Sequence, residues 1–179
     1  MNRTLLLLGF IACTSCRACT GVGDFEVTRE TAEVVIDGTN NPLNNLLPIK
    51  VIPDLELEFD LDSELEKQNA KGARRVHLTG LVLRITDTRR PAGDEDDFDF
   101  LDRIEFYVSS VDESLPERLL ASMDPVPSGR EEIELDTDAE LDLKPYAEAG
   151  IILTTKGKGS VPPDDVSVIG VVTIEVETL

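Results

Sequence analysis

The segment RRVHLTGLVLRITD, residues 74–87, predicts a long β-strand that changes face part-way along. Apolar residues alternate with polar ones up to Leu78, and the alternation resumes at Leu81 in the opposite parity. A period of two is typical of a strand with one buried face. Gly80 lies at the change of parity, and an isolated glycine in a strand pattern indicates a β-bulge. The segment therefore predicts a bulged strand in a half-buried sheet.

Strand patterns recur along the chain, with turns between them. They are DFEVTRETAEVVIDG (24–38), DLELEFDL (54–61), FLDRIEFYVSS (100–110), RLLASM (118–123), EEIELDT (131–137), GIILTTKG (150–157) and VSVIGVVTIEVETL (166–179). The last pattern is apolar on both faces at its centre, which predicts a central position in its sheet. Short strands at regular spacing with little helix are typical of a sandwich. We therefore predict an all-β fold, an antiparallel β-sandwich of about eight strands that is immunoglobulin-like or jelly-roll-like.

Two short helices complete the predicted domain. SELEKQNAKG (63–72) contains a capping-box pattern, in which Ser63 caps the helix, Glu66 completes the box and Gly72 ends it. A second helical turn is expected within residues 138–150. No repeat or low-complexity linker divides the chain after Asp24. Residues 24–179 are therefore expected to form a single domain.

The charge of the chain excludes several classes of partner. The 179 residues include 36 acids and 17 bases, and the net charge is −19. A nucleic-acid-binding protein needs a basic surface that displaces counterions, and electrostatic docking onto anionic lipid also needs basic residues. A charge of this size keeps a protein soluble and monomeric. We therefore expect a monomer that does not bind nucleic acid.

All three cysteines lie near the N-terminus, at Cys13, Cys16 and Cys19. Their spacing resembles the first three ligands of an iron–sulfur cluster, but the chain has no fourth cysteine. Instead they follow a short basic leader and an apolar run that spans residues 5–12, which is the pattern of a secretory signal and is too short to span a bilayer. Residues 1–19 are therefore predicted to be a signal peptide with a lipobox-like cysteine region, and no cofactor is expected.

The segment around the cysteines resembles a bacterial lipoprotein lipobox, in which a small residue precedes the acylated cysteine. FIAC, residues 10–13, would place the lipid on Cys13, whereas CTSC, residues 13–16, would place it on Cys16. Secretion with cleavage after Ala18 is the alternative. The leader thus predicts an exported protein that is lipid-anchored through Cys13 or Cys16.

A second resemblance covers the central third of the chain. FDFLDRIEFYVSS (98–110), LPERLLASM (115–123) and EEIELDTDAELDLKPY (131–146) are similar to segments of uncharacterised bacterial lipoproteins with a β-sandwich body. The resemblance implies a lipid-anchored envelope protein and assigns no catalytic residue. No aspartate stands directly after either candidate cysteine, so the outer membrane is favoured if the cell is Gram-negative. A structural or binding role is expected, with an envelope protein or polysaccharide as partner, rather than an enzyme.

The acidic segment GDEDDFDFLD, residues 93–102, is the candidate metal site. Oxygen ligands suit calcium, and the candidate ligands are Asp94, Asp96, Asp97 and Asp99. Hydrophobic residues break every EF-hand register, so the site would be a looser loop within a calcium-dependent adhesion module. The alternative is a solvated, charged hairpin tip.

His77 is the only histidine and lies in the middle of a predicted strand. A lone strand histidine is usually structural, but it could support a secreted hydrolase that uses carboxylates. Such an enzyme needs a cleft with at least two acids, one of them in an apolar environment that raises its pKa. The chain has no Gly-x-Ser-x-Gly motif, and GKGS (157–160) does not complete a phosphate-binding loop.

Overall fold

The structure is a computed structural model that describes residues 23–38, 55, 59–89, 96–111 and 114–179. In chain order its strands are β1 (Phe25–Glu30), β2 (Val34–Ile36), β3 (Ala73–Ile85), β4 (Leu101–Ser110), β5 (Arg118–Met123), β6 (Glu132–Glu134), β7 (Asp136–Thr137), β8 (Ile151–Gly159) and β9 (Val166–Thr178). The helices are α1 (Leu61–Lys67) and α2 (Lys144–Ala149). None of the helices in these ranges has the length and apolar character needed to cross a membrane.

The strands form two antiparallel sheets. In sheet 1 the order is β1, β9, β3, β6, with β2 also paired to β9, and in sheet 2 it is β7, β5, β4, β8. Buried apolar side chains from both sheets meet in one core, which includes Leu83 and Ile174 from sheet 1 and Ile104 and Phe106 from sheet 2. The predicted all-β sandwich with two short helices is confirmed, with nine described strands. Its immunoglobulin-like or jelly-roll-like topology stays a prediction.

The predictions for the two longest strands are confirmed. β9 lies inside sheet 1, because β1 and β2 pair with one of its edges and β3 with the other. The register of β3 against β9 shifts between Leu78 and Gly80, so the bulge occurs where the sequence parity changes. Leu78, Leu81 and Leu83 are consequently all buried. The bulge thus keeps both halves of β3 facing the core.

The predicted strand over residues 131–137 is two strands in different sheets. β6 pairs with β3 in sheet 1, and β7 pairs with β5 in sheet 2. Leu135 lies between them, is buried, and donates its N–H to the carbonyl oxygen of Leu81 at 2.9 Å. This short segment therefore joins the two sheets.

Two sequence predictions near α1 are wrong in their boundaries. The helix begins at Leu61, where the strand over residues 54–61 was expected to continue, and Asp60 rather than Ser63 is its N-cap. The Asp60 carboxylate accepts the N–H of Ser63 at 3.1 Å, which satisfies a donor of the first turn. The helix ends at Lys67 rather than near Gly72. Residues 56–58 of the predicted strand lie outside the described residues.

The second predicted helical turn is confirmed as α2, which places Tyr146 in the core. The Tyr146 hydroxyl donates to the carbonyl oxygen of Pro116 at 2.8 Å, so its polar end is satisfied. Just before α2, the N–H of Leu143 donates to the carbonyl oxygen of Val76 at 2.7 Å. This contact attaches the segment before α2 to the edge of β3.

Candidate functional site

The described part of the acidic segment, residues 96–102, packs into the core through its apolar residues. A 3-10 helix spans Phe98–Phe100, and both phenylalanines are buried. Asp96, immediately before it, is also buried. The N–H of Phe98 donates to the carbonyl oxygen of Arg130 at 2.8 Å, which attaches the segment to the loop before β6. Asp96, Phe98 and Phe100 are therefore buried while Asp99 is exposed, and the solvated tip stays a prediction for residues 93–95, which lie outside the described residues.

Two of the candidate calcium ligands instead accept hydrogen bonds from backbone N–H groups. The Asp97 carboxylate accepts the N–H of Asp99 at 2.9 Å and caps the 3-10 helix. The Asp99 carboxylate accepts the N–H of Gly129 at 2.7 Å. That bond, with a further one from the Ser128 side chain, lowers the pKa of Asp99 below its ordinary value. Both carboxylates have a structural role that needs no cation.

The candidate calcium site is not assembled in the part of the chain that the structure describes. Within that part, no group of three or more His, Cys, Asp or Glu side chains is placed to hold a metal ion. Asp94 lies outside the described residues, while Asp96, Asp97 and Asp99 lie inside them. The calcium site stays a prediction, and its test is a thermal one.

We expect millimolar calcium to change the melting temperature no more than sodium chloride of equal ionic strength. Both salts screen repulsion between the acids, whereas a bound ion would add RT ln(1 + [L]/Kd), about 2.7 kcal/mol at a hundredfold excess over Kd. The measurement is thermal unfolding followed by circular dichroism in each salt. A rise of several degrees specific to calcium, lost in the Asp97→Asn/Asp99→Asn variant, would establish the site instead.

His77 belongs to a cross-strand ion cluster on sheet 1. Its side chain is buried, and its Nε2 lies 3.2 Å from Oε1 of Glu177 on β9. The guanidinium of Arg74 donates to Oε2 of the same carboxylate at 2.6 and 3.0 Å. This bond from Arg74 is the main cause that lowers the pKa of Glu177. The Arg74 guanidinium thus holds the carboxylate next to His77 as an anion, and these contacts join β3 to β9.

A surface groove of about 440 Å³ beside α1 contains several acids. They are Asp60, Asp62 and Glu66, with Lys71 at the rim. Asp60 is already engaged as the N-cap of α1. The carboxyls whose pKa is lowered, Glu64, Asp99 and Glu177, do not line this groove, and the hydrolase stays a prediction.

Glu64 on α1 is the most buried carboxylate that carries ion pairs. Its Oε1 accepts a hydrogen bond from Arg29 of β1 at 2.6 Å and one from Lys67 at 2.7 Å. The bond from Lys67 is the largest cause that lowers its pKa, and Arg29 adds to it, while burial opposes both. The pair with Arg29 fixes α1 against the edge of sheet 1.

A cavity of about 20 Å³ lies between the two sheets. Its lining includes Leu55, Leu78, Phe106, Leu120, Leu153 and Ile174. The volume is close to that of a single water, and the apolar lining offers a water no hydrogen-bond partners. The cavity is therefore a packing defect and cannot hold an organic ligand.

The outer surface of sheet 2 carries side chains of several chemical kinds. We call it the sheet 2 face, and it presents Arg103, Glu105, Tyr107, Leu119, Ile152, Thr154, Lys156 and Lys158. At its centre the Lys156 ammonium lies 3.8 Å from the centroid of the Tyr107 ring. The same ammonium binds the Glu117 carboxylate at 2.8 Å, which raises the pKa of Lys156. The Tyr107 hydroxyl donates to Glu105 at 3.2 Å.

The lipid-attachment candidates Cys13 and Cys16 lie outside the described residues, so the structure does not test them. The first described strand begins at Phe25, shortly after both cysteines. The sequence matches no known protein-family model and no curated protein.

Sequence reasoning missed three features of the described surface and core. It did not identify Glu64 as an ion-pair centre, Phe98 as a core residue, or Tyr107 and Lys156 as the middle of an exposed face. The sequence held one signal, the alternation in FLDRIEFYVSS. Successive strand residues point to opposite faces, so Tyr107 points outward if its neighbour Phe106 points into the core. The pairing of Tyr107 with Lys156 could not be found in this way, because it requires the register between β4 and β8.

Proposed function

We propose that this protein is a lipid-anchored protein of the bacterial envelope with a structural or binding role. The observation that carries the proposal is the apolar run of residues 5–12, which follows a basic leader and ends directly at Cys13. Acyl chains on a cysteine contribute about 0.8 kcal/mol per buried methylene, and two chains make attachment stable. The first described strand begins at Phe25, which is 12 residues after Cys13 and 9 after Cys16, so a short segment would tether the sandwich to the membrane.

The shape of the domain supports a binding role rather than a catalytic one. In the groove beside α1, Asp60 is engaged as the N-cap of the helix, and His77 binds a carboxylate that Arg74 also holds. By contrast, the sheet 2 face combines exposed apolar side chains, an aromatic ring and charges of both signs. Such a surface suits contact with another macromolecule, an envelope protein or a polysaccharide.

Metabolic labelling with a palmitate analogue tests the anchor. We expect the wild-type chain to be labelled and to fractionate with membranes, and Cys13→Ser or Cys16→Ser to abolish both. The matched control is Cys19→Ser, which lies beyond both lipobox-like segments and should keep the label. Unchanged labelling in the Cys13→Ser/Cys16→Ser double variant would contradict the proposal. A chain released in soluble form after cleavage would favour plain secretion.

A further inference from the structure

One end of sheet 1 is defined by the place where β1 begins. Phe25, the first residue of β1, pairs with Val176 near the end of β9. β3 begins at the same place, with Ala73 across from Thr178. The first described strand therefore enters the sandwich at the end of sheet 1 where β3 begins and β9 finishes. We call this end of the domain the β1 end.

The matching end of sheet 2 is the place where β4 finishes and β8 begins, with Ser110 across from Ile151. The segment that contains α2 connects it to the β1 end of sheet 1. Leu143, directly before α2, donates its N–H to the carbonyl oxygen of Val76 near the start of β3, and Gly150 alone separates α2 from β8. A helix of six residues spans only about 9 Å, so both regions lie at the β1 end of the sandwich.

Exposed apolar side chains are concentrated at the β1 end. The described part of the chain has four large hydrophobic residues that are exposed, and each lies next to the terminal residue of a strand at this end. They are Val111 after β4, Leu119 at the second position of β5, Ile152 at the second position of β8 and Leu179 after β9. Val111 and Leu179 are the most exposed, at 64% and 83%. Exposed apolar residues gathered at one place indicate a contact surface.

Three of the four lie close enough to the edge of the domain to meet one plane. Ile152 stands across from Ser109, two residues before Val111, which is about 7 Å along the strand. Apolar groups at a membrane interface lie about 5–10 Å deep, so both side chains fit that depth. Leu179 lies beyond the last pair between β9 and β3. Leu119 stands four residues before Val111, about 13 Å by the same count, and is too far for the same contact.

The segment after the candidate lipid sites enters the domain at the β1 end. It has 12 residues from Cys13 to Phe25, or 9 from Cys16. Because a chain spans at most about 3.5 Å per residue, the segment holds Phe25 within about 40 Å of the lipid. The opposite end lies further along the domain by the length of β9, which is 13 residues or about 40 Å. The exposed apolar side chains therefore lie at the end that the anchor brings to the bilayer.

Charge does not attract the β1 end to lipid. The end carries charges of both signs, which include Lys71, Arg74, Arg118 and Lys144 and also Asp24, Glu66, Glu117 and Glu148. Asp112 and Glu113 follow Val111 in sequence and lie outside the described residues. Because the net charge of the chain is −19, an anionic surface repels the domain. A contact with lipid at this end is therefore apolar and is favoured on headgroups without net charge.

We propose that the β1 end rests on the bilayer surface, with Val111, Ile152 and Leu179 in the headgroup region. This step rests on the proposed function, because the anchor holds this end near lipid at a high effective concentration. Stable attachment commonly takes two signals, and the apolar side chains supply one in addition to the acyl chains. The opposite end of the sandwich then points away from the membrane and is presented to partners in the envelope.

Tryptophan fluorescence of the full, membrane-purified chain tests the contact. The wild-type chain has no tryptophan, so a single one reports its own surroundings. The chain is reconstituted into phosphatidylcholine vesicles that contain lipids brominated along the acyl chains. We expect the Val111→Trp variant to emit at shorter wavelength and to be quenched by the brominated lipid. The matched control is Pro127→Trp, in the exposed loop after β5 at the opposite end, which should emit as in water and escape quenching.

A second pair of variants shows whether the native side chains make the contact or the new tryptophan does. Adding Ile152→Ser and Leu179→Ser to Val111→Trp should reduce the quenching several-fold, since both apolar partners are removed. Adding Leu119→Ser instead should leave the quenching unchanged, because Leu119 is exposed but lies further from the edge. Equal quenching with and without Ile152→Ser/Leu179→Ser would overturn the proposal.

Lipid charge and the palmitate label separate the remaining outcomes. Replacing part of the phosphatidylcholine by phosphatidylglycerol should weaken the quenching, and sodium chloride should restore it, because salt screens the repulsion. Stronger quenching on the anionic lipid would overturn the apolar contact in favour of the basic residues. A labelled chain that sediments with vesicles but shows no quenching of Val111→Trp would overturn the contact, leave the anchor in place and assign the apolar residues to an envelope protein. A chain with neither label nor sedimentation would overturn both proposals.

Discussion

Replacing Phe98 by alanine is expected to lower the free energy of unfolding by about 3–5 kcal/mol. The side chain has no exposed surface, and its ring packs on that of Phe100 with 6.0 Å between centroids. Truncation removes this apolar burial and leaves a cavity that the two sheets can close only in part. Urea denaturation followed by circular dichroism measures the change. This would be a large fraction of the stability of a single domain.

The matched variant for Phe98→Ala is Phe98→Leu. Leucine retains most of the apolar volume, so we expect a smaller cost of about 1–2 kcal/mol. Asp97→Asn, at the partly buried neighbour that caps the 3-10 helix, should cost less than either. If Phe98→Ala were as mild as Asp97→Asn, the segment would be a solvated tip after all, and the packing described for it would be wrong.

Replacing Glu64 by glutamine is expected to cost about 1–2 kcal/mol at pH 7. Hydrogen bonds to a charged group contribute about 1.5–3 kcal/mol and neutral ones about 0.5–1.5 kcal/mol, and the amide preserves shape while it removes the charge. Glu64 is buried and binds both Arg29 and Lys67. The control is Glu66→Gln on the exposed side of α1, which should change stability by less than about 0.5 kcal/mol.

The pH dependence of the Glu64→Gln effect has a definite sign. The pKa of Glu64 in the folded protein is lowered from its ordinary value of 4.5, with the bond from Lys67 as the largest cause. A depressed carboxyl pKa contributes stability that is present above the unfolded pKa and is lost as pH falls through the folded pKa. The difference between wild type and Glu64→Gln should therefore be full at pH 7 and shrink progressively below about pH 4.5. A difference that stayed constant through that range would rule out the ion pairs as its cause.

For the candidate calcium site, the sequence indicated the kinds of side chain present but not the contacts that they make. Residues 93–102 contain a run of acids interrupted by Phe98 and Phe100. The run suggested a cation site, because carboxylate oxygens can bind a cation. The fold uses the two phenylalanines to bury the segment and assigns Asp97 and Asp99 to backbone donors. One of those two donors is the N–H of Gly129. Gly129 is distant in sequence, and no local pattern identifies such a partner.

On the sheet 2 face too, the sequence indicated which side chains point outward but not which of them are neighbours. Alternation in residues 100–110 and 150–157 indicated which side chains point outward, since a strand has a period of two. Alternation does not say which strands are neighbours. Lys156 reaches the Tyr107 ring because β8 pairs with β4, and Leu119 lies beside Tyr107 because β5 pairs with the other edge of β4.

The sequence by itself determined the elements whose signal is local. The parity change at Gly80 specified the bulge of β3, and the two-sided apolar centre of residues 166–179 specified the central place of β9. Only the tertiary structure decided that residues 131–137 divide between two sheets, and that Glu64 bridges Arg29 and Lys67. The physical reason is the separation in sequence between the residues that interact. Backbone alternation is fixed by neighbouring residues, whereas pairing, burial and ion contacts depend on segments that meet only after the chain has folded.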